Sequence, residues 1–184
     1  MEASLSYFVN ALTLLRILAV PVIVILVLWP EPGPSVAATA VFLAAALTDF
    51  LDGQLARRTD AVTEFGKILD PLADRIFISG TIATLMIAGI LPWQGVILVI
   101  VRDIFMIVGY KVVEGRGAKL RVSFLGKAYT TVMMVAIVLA MTGIEVRGVQ
   151  VGVWLFWVGV AGSLITALVY SINVISQLRR MKVA

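Results

Sequence analysis

The stretch Thr48-Asp49-Phe50-Leu51-Asp52-Gly53-Gln54-Leu55-Ala56-Arg57, continued by Gly66-Lys67-Ile68-Leu69-Asp70-Pro71-Leu72-Ala73-Asp74, sets four aspartates at helical intervals inside a chain of apolar runs. The run before it, Val36–Leu47, is too short to cross a bilayer, for which a helix needs about 20 residues. The span must continue through Thr48–Ala56, so the acids form one end of a membrane helix. At about 100° per residue, Asp49, Asp52, Gly53 and Ala56 share an arc of roughly 100°. Asp70 and Asp74, four apart, also share a face. The connection from about Arg58 to Leu69 is short, which predicts antiparallel neighbours whose carboxylates converge.

Carboxylates near hydrocarbon are costly and seldom idle. Four together repel unless cations neutralise them. Two divalent ions do this, Mg²⁺ first and Mn²⁺ second, and such a pair suits chemistry on a pyrophosphate. Each acid has a plainer reading as well. Asp70 before Pro71 is an ordinary helix cap, and Asp49 or Asp52 could pair with Arg57 or Arg58. All four on two matching faces, with two very small residues interleaved, argue for a shared site.

Composition sets the class. Of 184 residues, 61% are hydrophobic and 14% charged, with mean hydropathy +1.05. Soluble domains carry about 25% charged residues. The expected fold is all-α: one polytopic membrane domain over residues 1–184 with six transmembrane helices. These are expected near Phe8–Trp29, Ser35–Arg57, Asp70–Leu91, Trp93–Val113, Phe124–Met141 and Val149–Leu178. Breaks fall at Trp29-Pro30-Glu31-Pro32-Gly33-Pro34, at Gly89-Ile90-Leu91-Pro92-Trp93 and at Met141–Gly148, where proline and glycine interrupt helix. The chain has no Cys and no His. Disulfides, thiol nucleophiles, zinc–thiolate sites and histidine acid–base chemistry are thereby excluded.

Charge gives the orientation. One set of loops and ends holds Arg57, Arg58, Lys67, Lys111, Arg116, Lys119, Arg121, Lys127, Arg179, Arg180 and Lys182, while the opposite set holds Arg147 alone. The positive-inside rule then puts both termini and the aspartates on the cytoplasmic side of the inner membrane. The net charge of +4 reflects those loops, and no basic run with interleaved aromatics suggests nucleic acid. A cleaved signal peptide is disfavoured, because the start lacks a basic segment and Arg16 interrupts the first apolar run.

Other charges lie deeper. Arg102 and Asp103 sit mid-span, and read equally as a structural pair or as an anion site with Lys127 and Arg121. Arg16 either snorkels or lines the cavity. Trp29, Trp93, Trp154 and Trp157 are expected at the interface or facing lipid. Gly152, Gly159 and Gly162 predict close helix packing, within a subunit or between two copies of a homodimer.

The aspartate pattern, with Gly53, Ala56, Arg57 and Gly66 at their places in it, resembles the signature of the CDP-alcohol phosphatidyltransferase family. The six-span layout is similar along the whole chain. The resemblance implies that Asp49, Asp52 and Asp70 bind a metal pair, and that Asp74 acts as base and also contacts metal. It implies that Gly53, Ala56, Arg57 and Gly66 contact the CDP group. Asn10-Ala11-Leu12-Thr13-Leu14-Leu15-Arg16 is similar to the opening of the branch that forms phosphatidylglycerophosphate. Arg102-Asp103, where that branch often has Arg-Glu, and Gly126–Thr131 depart from it. The implied substrates are CDP-diacylglycerol, within membrane lipid, and glycerol 3-phosphate. Within the family the alternative is a CDP-alcohol-type cardiolipin synthase using phosphatidylglycerol, with an inositol phosphate third. A cation transporter is the rival of another class, disfavoured because the acids lie at one membrane face and no internal repeat appears.

Overall fold

The computed structural model describes the backbone over residues 2–59, 64–114 and 124–183, and side chains over residues 14–48, 73–109 and 128–174. Six helices account for it: α1 (Glu2–Leu28), α2 (Val36–Thr59), α3 (Glu64–Ile87), α4 (Trp93–Glu114), α5 (Phe124–Thr142) and α6 (Val151–Val183). Two short antiparallel strands, β1 (Glu145–Val146) and β2 (Val149–Gln150), join α5 to α6.

The breaks have local causes. Ser35 caps α2, its Oγ accepting from the Ala38 N–H at 3.2 Å, which satisfies one of the donors a helix start leaves open. At the end of α3 the Ile90 N–H donates to the Leu85 carbonyl and the Gly89 N–H to Met86, with Gly89 at φ 72°. This paired closure needs a left-handed residue, for which glycine carries no Cβ penalty. Between β1 and β2, Arg147 and Gly148 both have positive φ, at 53° and 77°. That is the geometry of a tight hairpin turn.

Two helix starts differ from expectation. α1 begins at Glu2 and not near Phe8, and α3 begins at Glu64 and not at Asp70. Asp70 and Pro71 thus lie within α3, and Asp70 does not cap it. Glu64–Leu69 holds no residue that bars helix, so the turn ahead of the proline forms despite the proline's missing donor.

Helix α1 packs against α2 and α3, α5 against α6 and α2, and α4 against α6 and α3. Ile23, Val27, Phe42, Phe77, Ile82, Leu85, Met133, Ile137 and Phe156 form the core where these helices meet. Phe42 of α2 stacks on Phe77 of α3 with ring centroids 4.8 Å apart. The α5–α6 seam is the tightest. A Cβ on Gly152 would fall 2.2 Å from the Ala140 backbone nitrogen, one on Gly159 3.1 Å from Met133 Cε, and one on Gly162 3.2 Å from Tyr129 Cβ. The glycine stripe therefore serves packing within the subunit.

The outer surface is apolar, with Leu18, Ile25, Val101, Ile104, Phe105, Ile165, Leu168 and Ile172 all exposed. Trp29, Trp93 and Trp154 are exposed where α1 ends and where α4 and α6 begin. An apolar mantle of this extent needs a nonaqueous partner, and tryptophans at helix ends suit a lipid–water boundary. Among the described residues, Val151–Val174 is long and apolar enough to cross a membrane, while Leu14–Leu28, Val36–Thr48 and Ala128–Thr142 are apolar but shorter.

Gly152→Ala should cost about 3 kcal/mol, the upper end for overpacking, because the atoms it meets are backbone. Gly33→Ala, which has nothing within 4 Å of its Cβ, should leave the melting temperature in detergent near that of the unmutated protein. Equal melting of the two variants would count against the tight α5–α6 seam.

Candidate active site

Helix register shows where the aspartates stand along their axes. The Phe42–Phe77 stack fixes the level at which α2 and α3 face each other. At about 1.5 Å of rise per residue, Asp49 lies about 10 Å from Phe42 toward the α2–α3 connection, and Asp70 lies about 10 Å from Phe77 in the same direction. Asp49 and Asp70 are therefore at one height. Asp52 lies nearer the connection by about one turn, and Asp74 lies deeper by about one turn. The side chains of Asp49, Asp52, Gly53, Ala56, Arg57, Gly66, Asp70 and Lys127, and the whole of Arg121, lie outside the described residues.

Asp74 is described, and α1 holds it. The Arg16 guanidinium donates to Asp74 Oδ1 in a direct ion pair. The Arg16 side chain is 6% exposed and that of Asp74 is 50% exposed. A buried cation thus grips a carboxylate that is itself half-exposed. Of the two readings of Arg16, lining the interior is the one observed. The Asp74 helix also closes onto α1 at Gly80, where a Cβ would meet Val20 Cγ1 at 2.8 Å.

A second cluster joins α3, α4, α5 and α6. Arg102 on α4 has a side chain only 4% exposed. Its Nη1 donates to Asp103 Oδ1 at 2.8 Å and to the Tyr129 hydroxyl at 2.6 Å, and its Nε to the Ser163 carbonyl at 3.3 Å. The guanidinium carbon also lies 4.6 Å from the Tyr129 ring centroid, within the range of a cation–π contact. Gly162 lets Tyr129 come this close to α6. Asp103 also accepts from Arg75, Nη1 to Oδ1 at 3.1 Å.

Sequence reasoning found Arg102 and Asp103 but not Arg75, Tyr129 or Ser163 as their partners. One signal was available for Arg75. If α3 and α4 fold back about Gly89, position 75 stands opposite position 103, fourteen residues from the turn on each side. Both clusters then lie about 20 Å along the helices from the Gly89 end. Buried as they are, a carboxylate and a guanidinium are retained only in matched sets.

The carboxylates expected on α2 and α3 are hard oxygen donors suited to Mg²⁺ or Mn²⁺. Asp49 and Asp70 stand at one height on α2 and α3, with the half-exposed Asp74 about one turn deeper.

Comparison with known proteins places the family. The family model for CDP-alcohol phosphatidyltransferase matches residues 7–165. The chain is 36% identical over 139 residues to a probable phosphatidylglycerophosphate synthase of Mycobacterium tuberculosis, covering 74% of this chain and 66% of the relative. It is 33% identical over 141 residues to a CDP-diacylglycerol–glycerol-3-phosphate 3-phosphatidyltransferase of Bacillus subtilis, covering 70% and 72%. It is 35% identical over 131 residues to a CMP-forming cardiolipin synthase of Streptomyces coelicolor, covering 69% and 61%. The aligned stretch thus spans about two thirds of the length of these relatives.

Arg102→Ala should destabilise the folded protein by about 3 kcal/mol, because it leaves Asp103 and the Ser163 carbonyl short of a buried partner. Tyr129→Phe keeps the ring and should cost about 1 kcal/mol, one hydrogen bond. Thermal unfolding in detergent reads both. The reverse order would remove the Arg102 guanidinium as the hub of the cluster.

Proposed function

The chain belongs to the CDP-alcohol phosphatidyltransferase family, and from that premise we propose that it transfers the phosphatidyl group of CDP-diacylglycerol to glycerol 3-phosphate. The products are phosphatidylglycerophosphate and CMP. The observation that carries this reading is the aspartate pattern on α2 and α3, with its deepest member, Asp74, half-exposed and gripped by Arg16. The names of the Mycobacterium and Bacillus relatives support the acceptor.

In this reading all six helices cross the inner membrane, with both termini and the aspartates on the cytoplasmic side. The eleven-to-one bias of basic loop residues and the apolar outer surface support it. The lipid tails of CDP-diacylglycerol lie among the helices while its pyrophosphate lies between α2 and α3.

Asp49, Asp52, Asp70 and Asp74 would hold two divalent ions, Mg²⁺ first. When bound, the ions neutralise the phosphate oxygens and stabilise charge on the attacking and leaving oxygens. The chain's own groups do the rest. Gly53, Ala56 and Gly66 leave the helix backbones open to the bulky CDP group, and Arg57 meets its charge. Asp74 accepts the proton from the acceptor hydroxyl as that oxygen bonds to the lipid-side phosphorus. The bond from that phosphorus to the bridging oxygen breaks, and CMP leaves with the electron pair. Arg16 holds Asp74 in place for this step. The acceptor's phosphate, carrying about two negative charges, lies toward the cationic side, where Lys127, Arg121 and Arg102 are the candidates named by sequence.

The Streptomyces relative favours a second acceptor, phosphatidylglycerol. An acceptor screen decides between them. Purified protein with CDP-diacylglycerol and Mg²⁺ should release CMP with glycerol 3-phosphate and not with phosphatidylglycerol or inositol phosphate. Excess chelator should abolish release and added Mn²⁺ or Mg²⁺ restore it. Asp74→Asn should lose turnover by about a thousandfold, within the range of general-base contributions, while CDP-diacylglycerol still binds. Release with phosphatidylglycerol alone would reassign the enzyme as a cardiolipin synthase. Full turnover in Asp74→Asn would remove Asp74 as base.

A further inference from the structure

Asp74 and Arg75 are consecutive on α3 yet turn to different neighbours. Asp74 meets Arg16 of α1, and Arg75 meets Asp103 of α4. A step of about 100° around the helix separates them. The expected base and a cation therefore stand side by side at one depth, on adjoining walls.

Among the described residues, the charges around Asp103 do not balance. Two guanidinium groups, Arg75 and Arg102, share one carboxylate. The excess positive charge is one unit. Arg102 is nearly sealed, and its Nε and Nη1 are engaged by Ser163, Tyr129 and Asp103. Arg75 is the open member, with its side chain 35% exposed. Both of its described contacts, the carboxylate at 3.1 Å and the Asp103 carbonyl at 3.4 Å, use Nη1. The rest of its fork, Nε and Nη2, enters neither contact. A planar fork carrying surplus positive charge at this depth suits a phosphate.

We propose that Arg75 binds the phosphate of the acceptor alcohol, and that Asp103 and Arg102 are positioning residues that hold its guanidinium in place. The inference rests on the reading of the chain as a phosphatidyltransferase with a small phosphomonoester acceptor. It also divides the roles that sequence left together. Arg102 anchors Asp103, Asp103 orients Arg75, and Arg75 meets the ligand. The acceptor then bridges consecutive residues of one helix, with its hydroxyl at Asp74 and its phosphate at Arg75. An acceptor lacking the phosphate would reach the base but lose its anchor.

The test is a pair of Michaelis constants for each variant, with thermal unfolding of the same samples. Arg75→Ala should raise the KM for glycerol 3-phosphate about tenfold or more, the scale of one charge-assisted hydrogen bond. The KM for CDP-diacylglycerol should stay within about twofold. Arg75→Lys should recover part of the loss, because it restores the charge without the fork. Arg75→Gln keeps a donor for Asp103 and should behave like Arg75→Ala, so it reads the outcome if the alanine variant fails to fold. In the unmutated protein, glycerol 3-phosphate but not glycerol should slow phenylglyoxal modification of Arg75, mapped by mass spectrometry. A purely structural ion pair predicts lower melting temperatures with both KM values unchanged, and no such protection. That result would overturn the role of Arg75 and leave the proposed reaction standing. Failure of the unmutated protein to use glycerol 3-phosphate at all would overturn both.

Discussion

A charge placed among helices in a bilayer must find its opposite, and that requirement organises this protein. Arg16 is sealed against Asp74, and Arg102 against Asp103, Tyr129 and the Ser163 carbonyl. These contacts tie α1 to α3 and α4 to α5 and α6, while Arg75 ties α3 to α4. Helix packing in a membrane gains little from the hydrophobic effect, since lipid is as apolar as leucine. Polar bonds in one layer, together with glycine seams, supply the specificity that apolar contacts lack. The same layer carries the candidate base, so positioning that base and joining the helices are one task. Loss of a guanidinium here would weaken the bundle and misplace Asp74 or Arg75 together.

Much of this was legible in the sequence. Six helices followed from apolar runs broken by proline and glycine, and the glycines of the last helix announced a close seam. The resemblance to the CDP-alcohol phosphatidyltransferases, read from the aspartate pattern, agrees with the family match over residues 7–165. What escaped was tertiary or turned on small local energies. Glu64–Leu69 joined α3 because nothing in it forbids helix, although Asp70-Pro71 looked like a start. The Arg147-Gly148 hairpin was invisible because its first turn residue is arginine, not the asparagine or aspartate that usually marks such a turn. Tyr129 and Ser163 carry no sequence signal as partners of Arg102. Their meeting depends on how closely α5 lies against α6, which Gly152, Gly159 and Gly162 set.

The arrangement gives α3 an unusual load. It contributes Asp74 to the face turned toward α1 and Arg75 to the face turned toward α4. In the proposed reaction, donor pyrophosphate and acceptor phosphate would lie on either side of this single element. Orientation of reacting groups is a large part of what an enzyme contributes to a bimolecular step. Groups on a helix are held better than groups on a loop, and here the helix is held in turn by ion pairs on two sides.

The central claim is that the aspartates of α2 and α3 form one site for two divalent ions. Counting Mn²⁺ bound to the purified protein in the presence of CDP-diacylglycerol tests it directly, by spin resonance of the free ion or by elemental analysis after desalting. The account predicts two ions per chain, falling to one or none in Asp49→Asn and in Asp70→Asn, one substitution on each helix. Two ions retained in both variants, or no ion bound by the unmutated protein, would contradict it.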